Sequence, residues 1–381
     1  MKGWCYYKPS KTGVVKPGNE AIQMCYRHNV CSVGTIPKEA SFGMHAALAN
    51  HFTRGGYYPK GGASEIAFNI IPTIEKAGGK VLVHARVTDI LMDEDMNRTI
   101  GVRVKKGHNV YEIMAPLVIS DAGVHNTFEQ LLPSEVVNKF GLERILSKVK
   151  HGVGLLSVFV GLDGTKEELG LQASNVWAFN SANLDELGDG YLKLSPEEAE
   201  KSRVPLMFLS FPSAKDPTYN SRYPGKSTCA IITVAPYEWF ENWKDEKVMH
   251  RGDDYQGLKM AIGRQLWNQV CELFPQLEDK LEYLDVGSPL SNQHYLGTPR
   301  GEVYGIDHDT VRFSPEMIVE LRPEIGVPGL FLTGQDILVC GFSGAMYGGM
   351  LCASAVLKRN ITADLIKLKA KVKKDMEAKK D

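Results

Sequence analysis

The sequence predicts a composite fold in which α/β and α+β regions are built from one chain of 381 residues. Three observations predict it. Short β-rich runs separated by turn residues extend from about residue 80 to residue 123, and longer strand and helix patterns replace them near His125. After Pro328 the chain reads as an apolar strand, a glycine-rich turn and a helix. The length allows two domains of ordinary size or one large composite fold.

The region up to residue 123 is predicted to contain two helices and a β-meander. Small and apolar residues at helical spacing predict a helix over residues 40–52. Ser64 is expected to cap a second helix, which Gly78 and Gly79 can end without a Cβ penalty. The runs "KVLVHARVTDILMD", "TIGVRVKKG" and "NVYEIMAPLVISDAG" then predict a meander followed by a buried strand at residues 117–120.

The middle of the chain is predicted to be α+β with an antiparallel sheet. A long amphipathic helix, "YQGLKMAIGRQLWNQVCELF", is expected to end at Pro275, because proline cannot continue a helix. The strand candidates on either side of it are "LLSVFVGLD", "VPLMFLSFPSA", "STCAIITVAPYEWF" and "LEYLDVGSPL".

Composition, net charge and cysteine spacing limit the classes of function that this chain can have. Apolar residues make up 43% and charged residues 23% of the chain, which is normal globular usage. The formal net charge of -1 gives no global field that favours nucleic acid, so we expect no nucleic-acid partner. The seven cysteines are dispersed without a CxxC motif or zinc spacing, which indicates reduced thiols. Residues 1–30 lack the apolar segment of a signal peptide and are predicted to form a poorly ordered arm.

The uncharged run at residues 338–357 allows three interpretations. It is near the length of a membrane span, and Gly344 and Gly348 match a small-residue packing motif. It also fits a plain core helix. The third interpretation uses the apolar strand at residues 330–333, which runs into the glycine turn. A strand, a glycine turn and a helix start together favour an anion or cofactor site, because free N–H groups and the helix dipole point the same way.

Six segments together resemble the retinol saturase (all-trans-retinol 13,14-reductase) family, which is part of the carotenoid isomerase and phytoene desaturase group of FAD-dependent oxidoreductases. They are "FLTGQDILVCGFSGAMYGGMLCASAVLKRN", "GYYPKGGASEIAF", "VKKGH", "FPSAKDPT", "FPQLE" and "YGIDHD". The resemblance implies a Rossmann-like FAD/NAD(P)-binding fold and an antiparallel-sheet substrate domain. It also implies saturation of the 13,14 double bond of all-trans-retinol, with FAD as cofactor. NAD or NADP is implied as an alternative or as the electron source.

The resemblance further implies a retinoid or polyene substrate, an apolar binding tunnel, and peripheral association with the endoplasmic reticulum membrane. It carries over one set of cofactor-binding residues: Val87, Gly334, Gln335, Asp336, Gly344, Ala345 and Met346. It carries over substrate-side candidates as well, namely Tyr57, Tyr58, His294, Tyr295 and Tyr304, with the last three expected to approach the flavin from the other domain. No residue is assigned as catalytic. The simpler alternatives are a helix-capping role for Asp336 and a plain glycine turn after Tyr58.

The chain departs from the family at its start. The sequence contains no G-x-G-x-x-G motif, and residues up to about Val30 do not match the family pattern, so the fold is expected to lack its first βαβ unit. The 381-residue polypeptide is therefore expected to bind FAD weakly or not at all. The alternatives are a flavin-free module of the same fold that binds lipid or prenylated protein, like Rab GDP-dissociation inhibitors, and a carotenoid isomerase or desaturase.

The expected order of segments along the chain follows from these assignments. It is an atypical arm (1–30), a substrate-side segment (31–78), the first part of the FAD-binding domain (79–123), the substrate-binding domain (124–327), the C-terminal FAD-binding segment (328–360) and a Lys-rich tail (361–381).

Overall fold

A computed structural model of the protein describes residues 34–35, 38–53, 55–180 and 190–377. The chain divides into two units. Unit 1 comprises Met1–Leu82 and Gly152–Val303, and unit 2 comprises Val83–His151 and Tyr304–Asp381. The division falls at residues 82, 151 and 303, whereas the predicted segments end at residues 78, 123 and 327. The functional assignment of each segment stays a prediction, and the expected arm over residues 1–30 lies outside the described residues.

The described residues contain the following strands and helices, each set given in chain order. The strands are β1 Arg86–Met92, β2 Thr99–Lys106, β3 Asn109–Met114, β4 Val118–Ser120, β5 Leu155–Asp163, β6 Asn175–Phe179, β7 Leu206–Ser210, β8 Lys226–Val234, β9 Leu281–Gly287 and β10 Leu330–Leu332. The α-helices are α1 Phe42–Phe52, α2 Ser64–Lys76, α3 Ser134–Lys139, α4 Glu143–Leu146, α5 Pro196–Ala199, α6 Pro212–Lys215, α7 Tyr219–Arg222, α8 Gly252–Leu273, α9 Pro289–Leu296, α10 Pro315–Glu320, α11 Gly341–Leu357 and α12 Ile361–Glu377.

Unit 1 is built on a five-stranded antiparallel sheet in the order β6-β7-β8-β5-β9, as the sequence predicts for the middle of the chain. The interior strand β5 alternates buried and more exposed residues, and Val158 lies opposite Ile231 of β8 and Val286 of β9. The long helix α8 covers this sheet with Ile262, Leu266 and Val270, which are fully buried. Period-2 strands and a period-3.6 helix thus place their apolar faces in one core.

The two helices at the start of unit 1 form where their spacing predicts them, but one cap differs. Ser41 caps α1 by accepting a hydrogen bond from the N–H of Met44 at 3.5 Å. The N-cap of α2 is Ala63, which has no side-chain cap, and Ser64 is already helical. The prediction that Ser64 caps this helix is therefore wrong. Gly78, with φ of +86°, follows the helix end in the left-handed region that favours glycine.

Unit 2 contains the predicted meander and a short parallel pair of strands. The meander is the antiparallel sheet β1-β2-β3, although residues 80–85 at its predicted start are not strand. Strand β10 pairs in parallel with β4, and Leu330 lies opposite Val118. Both strands lie within one residue of their predicted bounds. Their buried side chains join a second apolar cluster that includes Val124, Phe128 and Ile306.

The run at residues 338–357 folds mainly into α11, which follows β10 after a turn, as the strand–turn–helix interpretation predicts. Helix α12 then accounts for most of the Lys-rich tail. Within the described part of the chain, no helix combines the length and the apolarity that crossing a bilayer requires.

Candidate functional site

The candidate site in unit 2 is the turn between β10 and α11. Strand β10 ends where the N–H of Thr333 donates to the Ser120 carbonyl at 2.9 Å. Gly334 then takes φ of +91°, and a Cβ there would lie 1.9 Å from Oδ1 of Asp121. A short 3₁₀ turn, Gln335–Ile337, leads on towards α11. Only glycine fits at residue 334, because both the backbone conformation and the neighbouring carboxylate exclude a side chain.

Gln335 holds the start of α11. Its Oε1 accepts a hydrogen bond from the N–H of Gly341, the first helical residue, at 3.0 Å. The next two N–H groups, those of Phe342 and Ser343, have no acceptor within the helix, as at every helix start. These two donors and the positive end of the helix dipole are the features of the turn that suit an anion or a polarised carbonyl.

Glycines bring α11 close to the turn. A Cβ at Gly344 would lie 1.7 Å from the Val339 carbonyl oxygen, and one at Gly348 would lie 2.2 Å from the Gly334 carbonyl oxygen. Gly344 and Gly348 are buried, whereas Ala345 is half-buried and Met346 is half-exposed. Gly344 therefore serves close packing of helix on turn. Its assignment to the cofactor, with those of Ala345 and Met346, stays a prediction.

Asp336 fastens the turn to two distant segments. Its side chain is 4% exposed, Oδ2 accepts from the N–H of Val124 at 2.8 Å, and Oδ1 accepts from the N–H of Ile306 at 3.2 Å. The Arg312 guanidinium donates to the backbone carbonyls of Asp336, at 2.6 Å, and Leu338, at 3.2 Å. Gln335, rather than Asp336, bonds to the start of α11. Val124 is the first residue of the helical segment 124–131, so the Asp336 carboxylate caps that segment, as the simpler alternative predicts. The carboxylate ties the turn to the core of unit 2.

Burial is the main cause of the pKa shifts of Asp336 and its neighbours. It raises the pKa of Asp336, although the N–H groups of Val124 and Ile306 and the charge of Arg312 oppose the rise. It lowers the pKa of Arg312 to about 10, against the attraction of Asp336. Partial burial, followed by the charge of Asp336, raises the pKa of Asp121. Two carboxyl groups with raised pKa values therefore lie beside the turn.

Tyr304 lies beside the start of α11. A Cβ built at Gly341 would be 3.8 Å from its ring, and burial raises the pKa of its hydroxyl to about 12. The rings of Tyr304 and His308 make an edge contact with centroids 6.3 Å apart. Burial and then the charge of Arg312 lower the pKa of His308 to about 4, so this imidazole is neutral at pH 7. The family resemblance implies that Tyr304 approaches the flavin from the other domain, but Tyr304 belongs to unit 2, the same unit as the candidate flavin turn.

Val87 and the remaining candidates lie apart from this turn. Val87 is on β1, opposite Val104, and its contact with adenine stays a prediction. Tyr57 and Tyr58 belong to unit 1, as do His294 and Tyr295. Tyr57 and Tyr295 are strongly exposed, at 89% and 71%. Nothing in unit 1 tests their assignment to the substrate, which stays a prediction.

Two motifs of the family resemblance meet within unit 1. The N–H of Gly61 in "GYYPKGG" donates to Oδ1 of Asp216 in "FPSAKDPT" at 3.1 Å. Nζ of Lys215 lies 5.9 Å from the centre of the Tyr58 ring, and burial lowers the pKa of Lys215. Sequence patterns did not single out Lys215, Asp216 or, in the other unit, Phe342. The presence of both "GYYPKGG" and "FPSAKDPT" in one sequence was the signal that could have pointed to Lys215 and Asp216.

The fold is similar to that of a solved oxidoreductase structure. A crystal structure of an oxidoreductase from Methanosarcina mazei matches 90% of this chain and 66% of its own, with a TM-score of 0.55 and 15% sequence identity. A search of family models finds no match.

Curated relatives confirm the predicted resemblance. The chain is 48% identical over 377 residues to "All-trans-retinol 13,14-reductase" of Danio rerio, which covers 98% of this chain and 62% of that protein. It is 39% identical over 378 residues to "Inactive all-trans-retinol 13,14-reductase" of the same organism, with the same two coverages. More distant relatives, at 24–25% identity, are named prolycopene isomerases, which fits the predicted group.

The extent of these alignments corrects one expectation. An alignment that covers 98% of the chain includes most of residues 1–30, so the expectation that this segment lies outside the resemblance is wrong. The chain nevertheless spans less than two thirds of the length of the relatives it matches, 62% for the first of them.

Proposed function

We propose that the protein is a FAD-dependent oxidoreductase that saturates the 13,14 double bond of all-trans-retinol to give all-trans-13,14-dihydroretinol. The observation that carries the proposal is the 48% identity, over 98% of the chain, to a relative named for this reaction. The geometry of the turn between β10 and α11 supports it. Two N–H donors and the positive end of the helix dipole lie together at the helix start, and the close glycines hold α11 against the turn.

FAD supplies hydride chemistry when it is bound. The turn fits the flavin end of this cofactor, because Phe342 and Ser343 offer donors for a ring carbonyl and the helix start favours negative charge there. The pyrophosphate end has no such match in the sequence, which lacks G-x-G-x-x-G. The residues of this chain thus account for one end of the cofactor site.

Around the turn, the chain's own residues position groups and hold protons. Gln335 orients the helix start through Gly341, and Asp336 fixes the turn through Val124 and Ile306. The Oη atom of Tyr304 keeps its proton at neutral pH, since burial raises its pKa to about 12. Tyr304 is therefore the proton-bearing side chain at the helix start that we propose for the polyene side of the site.

The flavin-free alternative is not favoured, since the relatives at 43–48% identity are named as reductases. The isomerase alternative is supported only at 24–25% identity. The inactive relative makes catalysis the point to test. We also propose NAD or NADP as an alternative cofactor or electron source, and peripheral association with the endoplasmic reticulum membrane. The family resemblance alone carries both.

The experiment measures flavin content and product in parallel. The 381-residue polypeptide, and a fusion protein that adds an N-terminal strand–G-x-G-x-x-G–helix unit of the family, are purified and scanned for flavin absorbance. Each is then incubated with all-trans-retinol, FAD and dithionite, and the retinoids are separated by chromatography. We expect stoichiometric flavin and dihydroretinol from the fusion protein, and little flavin from the polypeptide alone.

A fusion protein that binds flavin but forms no dihydroretinol would contradict the proposed substrate. A folded fusion protein without flavin would contradict the cofactor. A Tyr304→Phe variant of the fusion protein should keep its flavin and lose dihydroretinol formation by at least about tenfold, because a general acid typically contributes 10²–10⁴ in rate. An unchanged rate would remove Tyr304 from the proposal.

A further inference from the structure

A second polar cluster lies in unit 2 and is not used by the flavin proposal. His125 immediately precedes a π-helical turn, Asn126–Leu131, and Glu129 lies one turn further on. His151 pairs with Ile306 in an isolated antiparallel bridge. One ligand atom from each of His125, Glu129 and His151 lies within 4.8 Å of the other two. Two imidazoles and one carboxylate therefore lie close together in unit 2.

His125 is the unusual member of the cluster. It is 8% exposed, and neither ring nitrogen has a hydrogen-bond partner. Its Nδ1 lies 3.4 Å from Oε2 of Glu129 without forming a hydrogen bond. Buried polar atoms are nearly always partnered in folded proteins, and an exception points to a water molecule, an ion or a functional role. A ligand at His125 would therefore break no hydrogen bond of its ring nitrogens.

The donor set selects the chemical class of that ligand. Neutral imidazoles and one carboxylate are the donors that Zn²⁺ and similar transition-metal ions prefer, whereas Mg²⁺ and Ca²⁺ prefer all-oxygen sites. His125 and Glu129 are four residues apart, a spacing that puts two ligands on one helical face. Glu129 is exposed and gives an ion access from solvent. We propose that His125, Glu129 and His151 form a site for a divalent transition-metal ion, with Zn²⁺ as its expected occupant.

The present geometry requires one movement for binding. The rings of His125 and His151 are stacked, with centroids 3.8 Å apart and planes at 16°. A metal ion binds imidazole in the plane of the ring, so it cannot bind both rings while they are stacked. Binding therefore requires that the half-buried ring of His151 leaves the stack. Three protein ligands then leave a fourth tetrahedral position for water.

The test is zinc binding by the full 381-residue chain after treatment with EDTA. Titration calorimetry with Zn²⁺ gives affinity and stoichiometry, and Co²⁺ absorption in the visible range reports a tetrahedral site. Glu129→Gln removes a ligand at an exposed position, and Glu135→Gln removes a carboxylate from a nearby exposed position outside the cluster. Both variants remove one negative charge from an exposed position, and only Glu129→Gln removes a proposed ligand.

We expect one Zn²⁺ per chain, at least about tenfold weaker binding in Glu129→Gln, and unchanged binding in Glu135→Gln. His151→Gln should lose the visible Co²⁺ bands while the circular dichroism spectrum is kept. Equal affinities of Glu129→Gln and Glu135→Gln would overturn the proposal, because they would indicate adventitious binding elsewhere. No binding by the folded wild-type chain would overturn it as well, and would leave the stacked pair as a packing contact.

Discussion

Asp216 in unit 1 and Asp336 in unit 2 are both buried, at 3% and 4% exposed, and both fasten segments that are far apart in the chain. Asp216 accepts from the N–H of Thr218 at 2.9 Å, from its hydroxyl at 2.8 Å and from the N–H of Gly61, and it pairs with Arg222. Asp336 accepts from two N–H groups, and Arg312 donates to backbone carbonyl oxygens rather than to this carboxylate.

The two carboxyl groups differ in pKa because of these partners. At Asp216 burial raises the pKa, but the donors of Thr218, Gly61 and Arg222 outweigh it and lower the pKa to about 2. At Asp336 burial prevails and the pKa is raised. Burial alone thus does not set the charge of a buried carboxyl group; the number and kind of donors do. The GYYPKGG segment is fixed by a charged anchor, and the turn between β10 and α11 by one that takes up a proton more readily.

Removing the anchor of unit 1 should have the largest effect on stability. We expect Asp216→Ala to lower the free energy of unfolding by about 3 kcal/mol or more, because several donors lose their acceptor at a buried position. Urea denaturation followed by circular dichroism measures the loss. Asp163→Ala is a matched control, since Asp163 is exposed and pairs with Lys226 at the surface. A loss at Asp216 no larger than at Asp163 would show that this anchor does not stabilise unit 1.

Substitutions of two adjacent glycines of α11 should give the next largest difference in stability. A Cβ at Gly348 would lie 2.2 Å from the Gly334 carbonyl oxygen, whereas one at Gly349 would meet only Oγ1 of Thr333 at 4.0 Å. We expect Gly348→Ala to destabilise the protein by about 1–3 kcal/mol through overpacking. Gly349→Ala should stabilise it by about 0.5–1 kcal/mol through helix propensity. Thermal denaturation of the two variants checks this, and equal effects would contradict the close packing of helix and turn.

The two aspartates should also give pH dependences of opposite sign. The contribution of Asp216 is present above its usual pKa of 3.8 and is lost as the pH falls through about 2, because its folded-state pKa is lowered. Asp336, whose folded-state pKa is raised, loses stability as the pH rises above 3.8. Comparison of Asp216→Asn and Asp336→Asn with the wild type from acid to neutral pH should therefore give slopes of opposite sign. Slopes of the same sign would refute the assigned pKa directions.

Local patterns predicted most of the regular structure. The run "LLSVFVGLD" is β5 over its full length, and the strands β4 and β10 lie within one residue of their predicted bounds. Their signals are side-chain periodicity and turn residues, which are encoded within a few residues. The predicted cap of α2 was wrong. Serine is a preferred N-cap residue, which favoured Ser64, but the helix starts at Ser64 itself, so its N-cap is Ala63.

The site was predicted as a segment but not as a set of contacts. The resemblance identified the turn at residues 334–346, but the partners of Asp336 are 212 and 30 residues away in the chain, at Val124 and Ile306. Such contacts depend on tertiary packing, which no local pattern encodes. For the same reason the approach of Tyr304 from within unit 2 was not predicted.

Placement of the flavin at the start of α11 is tested most directly by removing one N–H there in the flavin-binding fusion protein. Proline is tolerated in the first helical turn, so Phe342→Pro should keep the fold and lose the donor, while Phe342→Ala loses the same ring and keeps the donor. Titration with FAD, followed by flavin fluorescence, gives both dissociation constants. We expect at least about tenfold weaker binding by Phe342→Pro than by Phe342→Ala. Equal dissociation constants in two folded variants would contradict the placement of the flavin at this helix start.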